Sequence, residues 1–559
     1  MLVPKLVTTL KTYTSRQLRA DLLAGITVGI VALPLSIAFA IASGVSPEKG
    51  LYTGIIAGLL ISALGGSRVQ IGGPTGAFVI IVAGIVQRYG LDGLIVATVM
   101  AGLILIAAGF LKLGGLIKFI PFPLTLGFTA GIAIVILSTQ VRDLLGLELT
   151  RVPPEFFGKW LAYLRNLGSA DLATIGIAGG SLLTLIFWPR ISRRIPAPFV
   201  ALIAATVLVR LLHLPVETIG SRFGVIDASF PRPALPHVNE SLVVSLAAPA
   251  FTIALLAAIE SLLSAVVADG MIGSRHRSDM ELVAQGVANV ATPLFGGIPA
   301  TGAIARTATN IKSGGRTPLA GIVHAVTLLL ITLFFGRWAA LIPLAALAAI
   351  LVMVAYHMSE WRTVVAEVKG DRSDAAVLLT TLVLTVVVDL TVAIAVGMVL
   401  AAFLFLRRMV ETADIRAIAA ELRKQDEERG EAAATERHAR VPSDIEVFDI
   451  NGPFFFGAAE KFRDALSQTS KRPRALILDM ENVPVIDSTG LRVLTSVVEQ
   501  CRRQGIRVYL ADLGEETRAR IADSPLGQSI APPELSLSFD QVLFALGPTG
   551  EMPVGKKSD

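Results

Sequence analysis

The stretch Gly-Gly-Ile-Pro-Ala-Thr-Gly-Ala-Ile-Ala-Arg-Thr-Ala-Thr-Asn, residues 296–310, lies between two apolar runs that can each cross a membrane. It is itself too short to cross. It opens with helix breakers, continues with small residues and carries one permanent charge, Arg306. A counterpart stands earlier in the chain, Gly-Gly-Pro-Thr-Gly-Ala-Phe-Val-Ile-Ile-Val-Ala-Gly at 72–84. Pro74-Thr75-Gly76-Ala77 resembles Ala300-Thr301-Gly302-Ala303, and each set follows a Gly-Gly pair, Gly65-Gly66 and Gly296-Gly297. Two long apolar segments precede each one.

Short, Gly/Pro-interrupted segments at matching places in two halves point to the binding site of a transporter. The expected geometry is a pair of half-helices whose N-termini meet near the bilayer midplane. A helix N-terminus offers unpaired N–H groups and about half a positive charge, so two facing ones make an anion site. The residues that would line it are Pro74, Thr75, Gly76 and Ala77 on one side and Thr301, Gly302, Ala303, Ile304 and Ala305 on the other. Arg306, about 7 Å along the helix from Thr301, is expected to add positive charge below the anion.

Two further features belong with this pair. Glu260 sits in the middle of the apolar run at 251–270, with Ser264 one turn on and so on the same face. A carboxylate at this depth can carry a proton, or hold Na+ together with Ser264 and half-helix oxygens; a static salt bridge to Arg306 is the structural alternative. In the first long segment, Val-Ala-Leu-Pro-Leu-Ser-Ile-Ala-Phe-Ala at 31–40, Pro34 frees backbone groups in mid-membrane. Ser36 and the ring of Phe39 are then placed to face the cavity.

The composition agrees. Of 559 residues, 53% are hydrophobic and 17% charged, which excludes an ordinary soluble domain of this size. Apolar runs recur at 22–41, 93–111, 172–188, 197–212, 246–268 and 375–399, the last long enough for two joined spans. Fourteen crossings follow if the two short segments count as partial spans. Residues 1–20 are basic and lack a signal-peptide core. Alternate connections carry Arg68; Lys112 and Lys118; Arg190, Arg193 and Arg194; Arg275 and Arg277; Lys312 and Arg316; Arg362, Lys369 and Arg372; and Arg407 and Arg408. That bias predicts both termini on the cytoplasmic side. The net charge of +5 needs no nucleic acid to explain it, and one cysteine, Cys501, allows no intrachain disulfide.

The organisation expected is a cytoplasmic N-terminal segment (1–20), a transport domain (21–409), a charged linker (410–442), a small domain (443–548) and a tail (549–559). The small domain alternates strand and helix patterns at 445–450, 458–466, 475–478, 491–500 and 507–511, the signature of an α/β fold. Asp487-Ser488-Thr489-Gly490 sits at a strand-to-helix turn, where helix capping is the expected role and phosphorylation or partner recognition at Ser488 the sharper one. There is no nucleotide fingerprint, metal cluster or catalytic set, so neither an enzyme nor a cofactor is expected. A membrane-anchored signalling protein, with the small domain as its output, is the competing class.

The whole constellation resembles the SulP family of anion transporters. The matching residues are the proline-bearing first helix, Gly73-Pro74-Thr75, Ile259-Glu260-Ser261, Ala305-Arg306-Thr307 and, in the small domain, Val485-Ile486-Asp487-Ser488-Thr489-Gly490, which is typical of STAS domains. The resemblance implies two inverted repeats of seven segments, a core subdomain moving as an elevator against a gate, and a homodimer in a bacterial inner membrane. Asp21-Leu22-Leu23-Ala24-Gly25-Ile26-Thr27-Val28-Gly29-Ile30, Ala258-Ile259-Glu260-Ser261-Leu262-Leu263 and Ala303-Ile304-Ala305-Arg306 are most similar to the family's C4-dicarboxylate carriers. That likeness implies proton-coupled uptake of succinate-like anions; sodium-coupled bicarbonate or sulfate transport is the alternative. Two departures weaken any carry-over of chloride–bicarbonate exchange: Leu35 stands where animal members often have glutamine, and Ala305 where they often have serine. Family bicarbonate carriers that use sodium tend to have Asp at the position of Glu260 and to lack the arginine of Arg306.

Overall fold

The computed structural model describes residues 2–412, 414–417 and 441–546, apart from 116–119, 150–151, 154, 193–194, 225–232, 234–235, 237–239, 443, 468–472 and 531–536. Lys118, Arg193 and Arg194, most of the 410–442 linker and the 549–559 tail therefore lie outside the described residues. The chain forms two compact units, Met1–Ala401 and Ala402–Asp559.

The first unit opens with a short helix, α1 (Lys5–Leu10), and continues as α2 (Ser15–Ala42), α3 (Pro47–Leu64), α4 (Val79–Phe110), α5 (Phe122–Leu145), α6 (Phe156–Arg165), α7 (Leu172–Ile191), α8 (Ala197–Leu211) and α9 (Ile219–Phe223). Its second half holds α10 (Glu240–Ile272), α11 (Ser278–Leu294), α12 (Ile304–Lys312), α13 (Pro318–Ala339), α14 (Leu344–Met358), α15 (Trp361–Val368) and α16 (Arg372–Val387), and α17 (Leu390–Thr412) runs on from them. Eight described helical stretches are long and apolar enough to cross a membrane alone. α4 breaks at Gly90, whose φ of 69° only glycine adopts without strain, so it supplies two limbs. The apolar 375–399 run is likewise two helices, α16 and α17.

The segments form two sets of seven: α2, α3, both limbs of α4, α5, α7 and α8, then α10, α11, α12, α13, α14, α16 and α17. Their packing repeats under exchange of the sets. α13 packs on α2 and α3, and the second limb of α4 packs on α10 and α11. α16 packs on α5 as α7 packs on α14, while α5 and α14 meet each other. Lipid gives helices no hydrophobic reason to associate, so close approach comes from small residues. Gly25 and Gly29 of α2 lie against Ala320, Val323 and Thr327 of α13, and Gly127 and Gly131 of α5 against Leu378, Thr381 and Thr385 of α16.

At the centre the two breaker segments pair as a two-stranded ribbon. β1 (Gly72–Gly73) runs antiparallel to β2 (Thr301–Gly302), with Gly72 opposite Gly302 and Gly73 opposite Thr301. Antiparallel pairing of equivalent segments is what an inverted repeat requires. Side chains from neighbouring helices hold the flanking turns. Glu281 of α11 is fully buried and accepts hydrogen bonds from the N–H groups of Gly66 (2.8 Å) and Ser67 (3.1 Å), from Gln70 (3.0 Å), Gln285 (2.9 Å) and Ser261 (3.3 Å). In the other half the Ile298 N–H donates to Thr53 of α3 (2.7 Å), and Asn289 both accepts from and donates to the backbone of Ala300 (2.9 and 2.8 Å). Asp21 of α2, also fully buried, accepts from the N–H of Arg316 (2.8 Å) and the hydroxyl of Thr317 (2.5 Å) ahead of α13.

The second unit is a four-stranded sheet in the order β3 (Asp414–Ala417), β4 (Ile445–Asn451), β5 (Ala475–Asp479), β6 (Arg507–Ala511), with β3 antiparallel and the rest parallel. α18 (Phe456–Ser467), α19 (Ser488–Arg503), α20 (Glu515–Ala522), α21 (Pro525–Ser529) and α22 (Phe539–Leu546) complete it. β3 is a difference from the sequence reading, which placed 414–417 in a linker. Its four residues sit in a charged stretch where pairing with β4, not local pattern, makes the strand.

Replacing Glu281 by alanine leaves two backbone N–H groups and the Gln285 amide without acceptors in a buried core. It is expected to cost about 2–4 kcal/mol. The check is thermal unfolding of the detergent-purified chain: a midpoint lowered by several degrees is expected, and an unchanged midpoint contradicts the staple.

Candidate functional site

The ribbon ends where the two half-helices begin. On one side Thr75 is extended (φ −129°, ψ 161°) and precedes a single 3-10 turn, Gly76–Phe78, that feeds α4. On the other, Ala303 is extended and α12 starts at Ile304. By helix geometry the first N–H groups of each have no intrahelical acceptor. The Ala303 N–H is taken by the Ile71 carbonyl at 2.8 Å, so those of Ile304, Ala305 and Arg306 are the free ones. Gly76 and Ala77 are buried, whereas Ile304 and Ala305 are exposed.

The structure brings most of the expected residues together. Phe39 of α2 lies beside Gly76, as do Ile136 of α5 and Met358 at the end of α14. These last two come from helices outside the α2–α4 and α10–α13 packing set, so the site sits on the seam between two helix groups. Pro74 offers its carbonyl, not a donor, to the centre. Thr301 and Gly302 belong to β2; the Thr301 hydroxyl donates to the Ala257 carbonyl at 2.9 Å and is spent inside the fold. Ser36 turns away from the site toward Gly54 of α3.

Arg306, expected to add positive charge below the anion, is enclosed at the junction of the two segments. The residue is 2% exposed; Nη2 donates to the Pro74 carbonyl, and Nη1 lies against Gly73 without an acceptor. Gly73 adopts a φ of 151°, and a Cβ there would meet Nη1 at 2.6 Å. Glycine is thus required both for the backbone turn and for the arginine's room. Arg306 braces one breaker segment against the other and lends positive charge to the point where both half-helices start.

Glu260 of α10 is half-buried and accepts one hydrogen bond, from the Thr75 hydroxyl at 2.9 Å. It makes no salt bridge with Arg306, which excludes the static-pair alternative. Ser264 is not its partner either: its hydroxyl donates to Thr307 at 3.3 Å, and Thr307 also accepts from the Ile71 N–H at 3.0 Å. Ser264 therefore ties α10 to the crossing, on the helix face it shares with Glu260.

Sequence reasoning missed Glu281, Gln70, Ile136 and Met358. The signal for the first was present: Glu281, Gln285 and Asn289 recur every four residues, a polar stripe on an otherwise apolar helix. Nothing local marks Ile136 or Met358, because folding alone brings α5 and α14 to Gly76. In the second unit Asp487 caps α19, accepting from the Gly490 N–H at 2.6 Å, and Ser488 is exposed in the first turn.

Residues 18–381 match the model of the sulfate permease family, and residues 436–541 that of the STAS domain. A Bacillus subtilis (strain 168) protein named for sulfate transport, YvdB, is 40% identical over 95% of this chain and 98% of its own length. The bicarbonate transporter BicA of Picosynechococcus is 30% identical over 94% of both chains. Among solved structures, the transmembrane domain of a cyanobacterial BicA is similar with a TM-score of 0.63 and 30% identity, covering 71% of this chain and all of that one. Murine Slc26a9 shares the fold, with a TM-score of 0.85 at 18% identity over 98% of this chain and 94% of its own. The bacterial relatives are named for sulfate and bicarbonate, so the expected likeness to C4-dicarboxylate carriers finds no support among them. The chain belongs to the sulfate permease family of multi-pass membrane anion transporters, which are not enzymes, and it carries a C-terminal STAS domain.

Proposed function

We propose that this chain is a secondary transporter of a small inorganic oxyanion, bicarbonate or sulfate, driven by a cation that binds at Glu260. The observation that carries the reading is the pairing of the two breaker segments, from which the half-helices at Gly76 and Ile304 start, braced by Arg306 on Pro74. A site made of N–H dipoles and one guanidinium favours negative charge. Phe39, Ile136 and Met358 crowd Gly76, which suits a compact anion better than a four-carbon chain. The names of the relatives favour the same substrates.

Coupling follows from charge. Glu260 has one neutral donor and no basic partner among the described residues. A carboxylate carried through the low-dielectric interior in that condition needs a compensating proton or Na+. In the mechanism proposed, α2–α4 and α10–α13 carry the site past α5, α7, α8, α14 and α16, with both termini in the cytoplasm and the chain working as a homodimer. Ser488, exposed beside its cap, is the point in the STAS domain for phosphorylation or a cytoplasmic partner.

The reading is tested with purified protein in liposomes, measuring uptake of labelled bicarbonate, sulfate and succinate under an imposed Na+ or pH gradient. Concentrative uptake of bicarbonate or sulfate is expected; concentrative uptake of succinate alone overturns the substrate. Glu260→Gln should reduce gradient-driven accumulation at least about tenfold, the effect of ~1.4 kcal/mol, while anion exchange without a gradient continues. If accumulation persists in the variant, Glu260 does not couple.

A second variant separates the anion site from stability. Ala305→Asp places a negative charge at the start of α12, where it favours the helix dipole but repels an anion. Uptake should fall by more than about tenfold with no drop in thermal midpoint, whereas Ala305→Ser should transport. Equal transport by both variants would remove this N-terminus from the site.

A further inference from the structure

A cavity of about 1110 Å³ opens on the membrane face that carries the α2–α3 turn, between α4 and α10 on one side and α5, α6 and α16 on the other. None of the site residues described above lines it. Its charged lining is unevenly paired. Arg222 bonds Asp143 at 2.8 Å and also bonds Glu217. Asp389 caps α17, accepting from the Val392 N–H at 2.8 Å, and Glu155 and Arg88 are exposed. Two cations remain. Lys159 of α6 is 6% exposed and Arg142 at the end of α5 is half-buried, and neither has an ion-pair or hydrogen-bond partner among the described residues. Beside them the Tyr163 hydroxyl is buried with no partner.

Holding a lysine this deep without an acceptor is unfavourable unless something fills the gap. The local sequence shows how it is held. α6 carries Phe156, Lys159, Trp160 and Tyr163 at i, i+3, i+4 and i+7, so its aromatic face presses the lysine stem into the unit. Burial pushes the Lys159 ammonium below the ordinary lysine range. Burial, with Asp143 nearby, pushes the Tyr163 phenol well above its usual value, so the hydroxyl stays a donor. Lys159 and Tyr163 stand one turn apart on α6, and Arg142 lies near the Tyr163 hydroxyl; donors without acceptors along one cavity wall suit an oxyanion.

We propose that Lys159, Arg142 and the Tyr163 hydroxyl form a second anion site at the mouth of this cavity, distinct from the half-helix crossing and selective for a small oxyanion. Its ligand class rests on the transport reading above, but its existence does not. On the topology proposed, this mouth faces outside, where the site would gather anions ahead of the central site. The same chemistry also suits an anion that stays bound and is not transported.

Trp160 packs against Tyr163 at 6.0 Å between ring centroids and reports on the site. The full-length chain in lipid nanodiscs, with Trp188, Trp338 and Trp361 replaced by phenylalanine, is titrated with sodium sulfate, sodium bicarbonate and sodium gluconate. A saturable change in Trp160 emission with sulfate or bicarbonate, and none with gluconate, is expected. Lys159→Met and Tyr163→Phe should each weaken it about tenfold or more, Lys159→Arg should preserve it, and Ala305→Asp should leave it intact. No saturable change, an unchanged response in both Lys159→Met and Tyr163→Phe, or loss of the response in Ala305→Asp overturns the site. If the liposomes show no transport but the titration behaves as expected, the transport reading falls and the site stands. The kinetics separate the two sources: a gathered substrate raises KM in Lys159→Met with kcat kept, and a resident anion changes kcat.

Discussion

Everything central in the membrane unit depends on one main-chain pairing, Gly72–Gly73 against Thr301–Gly302. Backbone that is not helical has no water to bond at that depth and survives only if it bonds within the protein. Two interrupted segments meeting at their interruptions satisfy one another, and only small residues let them approach. The pairing fixes where each half-helix starts, so it fixes where two sets of free N–H groups point. Arg306, reaching across to Pro74, and Gly73, leaving it room, lock the same junction.

Two glutamates show how wiring decides between structure and function. Glu281 is fully buried and accepts from five donors, which spread its charge over the turn before β1. Nothing is left over for a ligand. Glu260 accepts from one threonine and retains lone pairs beside the helix N-termini. The first carboxylate holds the crossing in place; the second keeps the open lone pairs that the proposed coupling role requires.

Much of this was legible in the chain. Length and hydropathy gave the spans, and the repeated Gly-Gly and Pro/Ala-Thr-Gly-Ala patterns gave the two half-helices and their equivalence. The stretch Asp487-Ser488-Thr489-Gly490 gave the capped helix of the second unit. What could not be read was pairing in space. The Pro74 carbonyl that Arg306 reaches and the Thr307 hydroxyl that Ser264 reaches lie far along the chain, where no local pattern marks them. Ile136 and Met358 reach Gly76 from helices far along the chain. The 414–417 strand forms because β4 accepts it, in a stretch whose composition says linker. The substrate was beyond reach for a related reason: N–H dipoles and one guanidinium suit any small anion, and pocket dimensions arise only on folding.

The central claim is that an anion rests between the two half-helix N-termini. The most direct measurement is a cryo-electron microscopy map of the full chain in lipid nanodiscs with saturating sulfate, compared with a map in gluconate. Sulfate-dependent density is predicted within hydrogen-bond distance of the N–H groups of Gly76 or Ala77 and of Ile304 or Ala305. Density confined to other places, with Phe39, Ile136 and Met358 filling that point in both maps, would contradict it.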